Sequence, residues 1–261
     1  MTKARHYVVT GGTHGIGQAV VAQLLAQQQQ VTVLDREQTE EAPWIALNLA
    51  DSESIRSAVA ALKTPIHGLI NCAGIAPSDG NQRAVLDINW LGTRTLTETM
   101  LPHLTDDAAV VTLASRAGDG WSAHCDEIRT ALPEPDIASL ARRIGLDDLT
   151  PARAYELSKE LLIVWTMQLA GNSRGIRLNT VSPSSVETRL TPAFKAAFQH
   201  RQTQNRSLVS RVATTAEVAA AVCFLIGPSA SWINGVDLKV DGGVTAKRLL
   251  DQWNLAPQPW R

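Results

Sequence analysis

Short apolar runs alternate with longer amphipathic stretches along most of the chain. Tyr7-Val8-Val9, Val31 to Asp35, Trp44 to Leu47, His67 to Asn71, Val110 to Ser115, Gly175 to Val181 and Gly235 to Val240 each read as a short buried strand. Helical spacing appears between them. Ala19, Val20, Ala22, Leu24 and Leu25 give a broad apolar face after the first strand. Asp51-Ser52-Glu53 is a helix-start signal before Ile55, Val59 and Leu62. Val85, Ile88, Leu91, Leu96 and Met100 predict a long helix over 81–103, and further helices run from Ala154 and from Ala216 to Ile226. This alternation predicts an α/β fold: one doubly wound parallel sheet with helices on both faces.

Three stretches break the rhythm. Residues 119–150 mix Glu134, Asp136, Asp147 and Asp148 with Arg129, Arg142 and Arg143, and Pro133 and Pro135 interrupt them. They read as an inserted surface segment with one or two short helices. Residues 189–212 are rich in Gln and Arg, with Phe194 and Phe198 four apart, and read as an amphipathic cover over a pocket. Trp253 and Trp260 mark a tail expected to pack on something.

Composition narrows the function. A chain of 261 residues suits one domain with a sizeable core. A formal charge of −1 provides no basic face for nucleic acid. Cys72, Cys125 and Cys223 show no metal-ligand spacing, so no metal is expected, and they fit a reducing compartment. The longest apolar stretch, Leu161 to Ala170, contains Thr166 and Gln168 and is too short to span a bilayer. The first strand begins at about residue 7, leaving no room for a signal peptide. A cytoplasmic protein is the expectation, with no membrane partner.

The candidate chemistry begins with Thr10-Gly11-Gly12-Thr13-His14-Gly15-Ile16-Gly17, set between a strand and a helix. Free amides and the positive end of a helix dipole there suit a phosphate. Asp35 ends the second strand, 18 residues after Gly17, where a carboxylate accepts hydrogen bonds from an adenosine ribose. It also repels a 2′-phosphate and so argues for NAD, whereas the neighbouring Arg36 and His14 can hold one. Small residues at 71–74 end the fourth strand, where ligands lie in open sheets. Tyr155 and Lys159 are four apart and project from one helix face.

Thr10-Gly11-x3-Gly15-Ile16-Gly17, Asp35, Asn71-x-Ala73-Gly74, Asn89, Ser115, Tyr155-x3-Lys159, Arg177-x-Asn179, Pro183 and Asp241-Gly242-Gly243 occur in the order found in short-chain dehydrogenases/reductases. The chain resembles that family from about residue 7 to 245. The 39 residues between Ser115 and Tyr155 make it look most like the branch of bacterial 3α-hydroxysteroid dehydrogenase/carbonyl reductases and coniferyl-alcohol dehydrogenases.

The resemblance implies a Rossmann-like fold and an NAD(P)-dependent alcohol dehydrogenase or carbonyl reductase. It assigns the pyrophosphate to Gly11, Gly15, Ile16 and Gly17, with Thr13 and His14 in the same loop. Asp35 meets the adenosine ribose with Arg36 beside it among the cofactor-binding residues, Asn48 and Leu49 flank the adenine, and Asn71 and Ala73, next to Gly74, line the second ribose. Pro183, Val186 and Thr188 meet the nicotinamide. Ser115, Tyr155, Lys159 and Asn89 form the catalytic set, with Asn89 holding a water behind Lys159. Ser184 stands where the family usually has Gly, Asn48 replaces an Asp, and Cys72 replaces an Asn.

The chemistry fits those roles. A tyrosine with a pKa of about 10 is a poor base at neutral pH, and a cation nearby favours its phenolate. Lys159 supplies that cation, and Ser115 steadies charge developing on the substrate oxygen. Trp121, Ser184, Ser185, Phe194 and Phe198 suggest a pocket for an apolar or aromatic secondary alcohol or its ketone. The alternatives are an NADP-dependent carbonyl reductase, an epimerase or dehydratase on the same scaffold, and a dinucleotide-binding regulator without turnover. A homodimer or homotetramer is expected, with the insertion near the helices through which the family pairs.

Overall fold

The computed structural model describes residues 4–171, 175–198 and 209–255. Seven parallel strands form one sheet: β1 (His6–Thr10), β2 (Gln30–Asp35), β3 (Trp44–Ala46), β4 (Ile66–Asn71), β5 (Leu104–Leu113), β6 (Arg177–Pro183) and β7 (Asp237–Val240). Their order is β3-β2-β1-β4-β5-β6-β7. The order reverses between β1 and β4, so a crevice opens beyond their carboxyl ends, where such sheets take ligands.

Alternation along each strand divides the core. Tyr7, Val9, Val33 and Ile70 face α1 (Gly15–Ala26) and the helix Thr215–Ile226. Val8, Leu34, Leu69 and Val110 face Ile55 and Val59 of α2 (Ser52–Ala60) on the other side. Both faces are covered, which is why the strands are apolar throughout rather than alternating with polar residues.

The helix expected over 81–103 is divided. α3 (Gln82–Leu86) passes into a wide π turn at Asp87–Gly92, α4 (Thr93–Met100) resumes, and a short 3-10 turn ends it at Leu101–His103. The π turn fits against the chain at Leu49. A side chain at Gly92 would collide with the carbonyl of Leu49.

The insertion holds a 3-10 turn at Arg116–Ser122, then α5 (Cys125–Ala131), α6 (Ile137–Ile144) and a second 3-10 turn at Leu146–Asp148. It shares a third core with the helices it lies on. Ile128, Leu140 and Leu146 pack with Leu86 and Trp90 and with Leu157 and Trp165 of α7 (Pro151–Ala170). Beyond it come α8 (Thr191–Ala197), α9 (Thr215–Ile226) and α10 (Val244–Gln252). Only the two ends of the expected 189–212 cover fall within the described residues. Trp260 lies outside them, and Trp253 is 64% exposed, so the packed tail expected there does not hold for Trp253. Among the described residues no helix is long and apolar enough to cross a membrane.

Candidate active site

One cavity of about 690 Å³ lies at the carboxyl ends of the strands. The glycine loop forms one wall. Gly15 has φ +59°, and a side chain at Gly17 would overlap the carbonyl of Gly11, so both positions require glycine. His14 begins α1 without a side-chain cap, and the first turn carries no acidic residue. Asp51, Asp136, Thr150 and Thr214 cap α2, α6, α7 and α9 with their side chains. The first amides of α1 are thus left for a ligand, beside a loop that admits close approach. A pyrophosphate fits this arrangement.

Asp35, Arg36, Asn48 and Leu49 line the cavity with Gly11, His14, Ile16 and Gly17. The Thr13 amide donates to Asp35 Oδ2 at 3.1 Å, and the Glu37 amide lies 3.3 Å from Oδ1. Thr13 itself does not line the cavity. Its hydroxyl donates to the Glu37 carbonyl at 3.0 Å, so its part is to orient Asp35 and the turn after β2. Glu37, which the sequence reading missed, lines the cavity as a second carboxylate. His14 Nε2 lies 2.7 Å from its Oε2, and Arg189 lies 3.7 Å from Oε1.

Ser115, Tyr155 and Lys159 come together in the same cavity, which Pro183, Ser184, Ser185, Val186 and Thr188 also line, with Thr188 next to Gly15. Tyr155 and Lys159 are each only 6% exposed. Burial pushes the Tyr155 phenol above its ordinary value, while a hydrogen bond from Ser115 opposes this. Burial pushes the Lys159 ammonium down to about 8. Lys159 Nζ donates to the Leu113 carbonyl at 2.9 Å and lies 5.6 Å from the centre of the Tyr155 ring. Ser115 Oγ accepts from the Ala117 amide at 3.1 Å, which leaves its hydroxyl proton for another acceptor. Phe194 and Phe198 lie edge-on to the Tyr155 ring, with centroids at 5.1 and 6.0 Å.

Three assigned side chains stand elsewhere. Asn71 Nδ2 donates to Thr97 at 2.9 Å and Thr112 at 3.1 Å, so it ties β4 to α4 and β5 behind the cavity, while Ala73 and Gly74 line it. Asn89, in the π turn, accepts from the Ile75 amide at 2.8 Å and donates to its carbonyl at 3.0 Å. Each end of the amide has a backbone partner, so the side chain braces the loop after β4 and does not line the cavity. Trp121 packs with the insertion core, because the 3-10 turn carries it away from the cavity. Among the described residues no cluster of three or more His, Cys, Asp or Glu is placed to hold a metal.

Comparison with known proteins agrees with this geometry. Residues 5–125 match the short chain dehydrogenase family, and residues 136–245 match a family described as enoyl-(acyl carrier protein) reductase. This chain belongs to the short-chain dehydrogenase/reductase family, and it is an oxidoreductase of alcohols and carbonyls. It is 28% identical to coniferyl-alcohol dehydrogenase of Pseudomonas sp. strain HR199, over 92% of this chain and 96% of the relative. The 3-alpha-hydroxysteroid dehydrogenase of Pseudomonas sp. B-0831, solved with NADH, is 30% identical with a TM-score of 0.80, over 93% and 98% of the two chains. A short chain dehydrogenase of Burkholderia cenocepacia solved with NADP is 26% identical with a TM-score of 0.71, over 92% and 98%. The family therefore binds NAD(P), and the choice between the two must be argued from this chain's own residues.

Proposed function

We propose that this protein is an NAD-dependent dehydrogenase that interconverts an apolar or aromatic secondary alcohol and its ketone, with Tyr155 as general acid and base. The observation that carries the reading is the meeting of Ser115, Tyr155 and Lys159 in one cavity under Phe194 and Phe198. The bound nicotinamide supplies or accepts the hydride. The chain's own residues handle the proton. Burial keeps the Tyr155 phenol protonated, ready to donate to a carbonyl oxygen. In the oxidation direction the Lys159 charge favours the phenolate that accepts the alcohol proton. Ser115, whose hydroxyl bonds the Tyr155 phenol, turns that proton to the substrate oxygen when one is present. Asn89 holds the loop at Ile75 through its side-chain amide.

The paired carboxylates Asp35 and Glu37 support NAD, since both repel a 2′-phosphate and His14 is already engaged by Glu37. Arg36 lines the cavity beside them and carries the second reading, an NADP-dependent carbonyl reductase. The test compares NADH and NADPH titrations by tryptophan fluorescence, then screens aryl and alkyl ketones. We expect tighter NADH binding and turnover that Tyr155→Phe abolishes. Turnover of small charged substrates alone would overturn the apolar pocket. We further infer a homodimer or homotetramer that pairs through a face other than α3 and α7, because the insertion packs on those helices. A monomeric mass by light scattering at micromolar concentration would refute it.

A further inference from the structure

Helix α7 bears Tyr155 and Lys159 toward the cavity. Arg153, Glu156 and Glu160 follow a spacing of three and then four residues, which gives them a common flank of the same helix. The Glu160 side chain is 1% exposed. Arg153 grips it with two bonds, Nη1 to Oε1 at 3.0 Å and Nη2 to Oε2 at 2.7 Å. Arg153 Nη2 also donates to Glu127 Oε2 at 2.6 Å, and Nη1 lies 3.5 Å from Glu156 Oε2. His124 Nδ1 lies 2.8 Å from Glu160 Oε1.

The partners contributed from outside the helix, His124 and Glu127, belong to the segment that leaves Ser115. That segment lies against α7 between Arg153 and Ile163. Ser115 begins its 3-10 turn, accepting from the Ala117 amide on Oγ and from the Gly118 amide on its carbonyl at 2.8 Å. A Cβ at Gly118 would stand 2.8 Å from Ile163 Cδ1 and 3.0 Å from the Lys159 carbonyl carbon. At Gly120 it would stand 2.9 Å from Glu160 Oε1. The turn thus runs from Ser115, across the backbone of Lys159, to the buried carboxylate one residue further along the helix.

Anchoring the insertion does not need these charges, since Ile128, Leu140 and Leu146 already pack on α7 and its neighbours. Apolar residues could replace a buried ion cluster at little or no cost in stability. What directional bonds add is register. We propose that the Arg153–Glu160–His124–Glu127 cluster sets the register between the serine turn and α7, and that Glu160 is a positioning residue holding Ser115 against Tyr155 and Lys159. Its catalytic consequence rests on the function proposed above.

The test uses the full chain with Glu160→Gln, His124→Ala and Glu127→Gln. Hydrogen exchange of peptides spanning residues 115–122 reads the register directly and requires no turnover. We expect exchange about 10-fold faster in Glu160→Gln and less so in His124→Ala. Ketone reduction in Glu160→Gln should show kcat about 10-fold lower, with NADH affinity within about 2-fold of the parent. In a Ser115→Ala background the same substitution should cost nothing further, because its effect passes through that hydroxyl. A merely structural role would lower kcat equally in both backgrounds. Unchanged exchange in both Glu160→Gln and His124→Ala would overturn the proposal, as would that equal loss. A parent protein that turns over no alcohol or ketone would instead overturn the functional reading, and the exchange arm would still decide the register. If Glu160→Gln does not fold, His124→Ala and Glu127→Gln carry the same readouts.

Discussion

Residues 11–17 follow β1, and residues 116–122 follow β5. Both turns are rich in glycine, and they use it for opposite ends. In the first, Gly11 has φ +65° and Gly17 lies against the Gly11 carbonyl, so the loop folds on itself and turns its amides outward to a ligand. In the second, Gly118 and Gly120 let helix α7 press in, and the turn's polar groups are used within the protein. On the function proposed here, one turn receives a cofactor, and the other holds a catalytic hydroxyl against a helix. The lesson is that a glycine's role is set by what approaches it.

Lys159 is where the second turn meets the chemistry, so its replacement carries the largest effect. Lys159→Met should lower turnover by about 10⁴-fold, checked by steady-state kinetics with the best ketone. The same variant should be more stable than its parent at pH 7. A lysine whose folded-state value is lowered to about 8 is a buried charge, with a penalty on the order of 3 kcal/mol while it stays protonated. As pH rises from 8 toward 10.5 the folded parent gives up that proton while the unfolded chain retains it. The parent then gains stability and the difference narrows, which thermal melts at pH 7 and pH 10 will read.

The two turns separate in the next pair of variants. Gly17→Ala places a methyl group inside a backbone carbonyl. We expect NADH binding weaker by about 100-fold and stability lower by about 3 kcal/mol. Gly118→Ala meets Ile163 and the Lys159 backbone instead. It should lower kcat by about 10-fold and stability by about 1 to 2 kcal/mol, with NADH affinity nearly unchanged. If both variants lose cofactor binding alike in fluorescence titrations, the division of labour between the turns is wrong.

The first turn was legible because its signal is local. Four glycines within seven residues, a strand before them, a helix after them and a carboxylate at the end of the next strand can all be found by spacing. Ser115, Tyr155 and Lys159 were legible by their order in the chain, and they line one cavity. The second turn was not, because its partner lies some 40 residues on, and nothing near Gly118 in sequence names it. The mixed charges of 119–150 read as a solvated face, yet Glu127 binds Arg153 and His124 binds a buried Glu160. Glu160 itself sits in an apolar helix beside a lysine, with no pattern to mark its burial. The π turn was hidden for a related reason. Val85, Ile88, Leu91 and Leu96 keep a helical rhythm through it, and the close approach of Leu49 to Gly92 comes from a distant stretch of chain. β5 begins at Leu104, earlier than its apolar run, because Asp106 and Asp107 are exposed and break the run.

The smallest effect tests whether the first turn selects its ligand as well as admitting it. Asp35 is fixed by the Thr13 and Glu37 amides, so on the proposed reading its carboxylate would meet the ribose in one orientation. The Glu37 side chain is 60% exposed and is held by His14 and Arg189 from either side. Water and salt screen such a charge, so its repulsion of a 2′-phosphate is modest. Glu37→Gln should therefore tighten NADPH binding only about 3-fold and leave NADH binding where it was, whereas Asp35→Asn should weaken NADH and tighten NADPH together. The Glu37→Gln gain should shrink as salt is raised from 50 to 500 mM, since screening already does part of what the substitution does. A gain that persists at high salt would mean that Glu37 acts through the shape of the turn, by releasing His14, and that in this loop geometry outweighs charge even at its most exposed carboxylate.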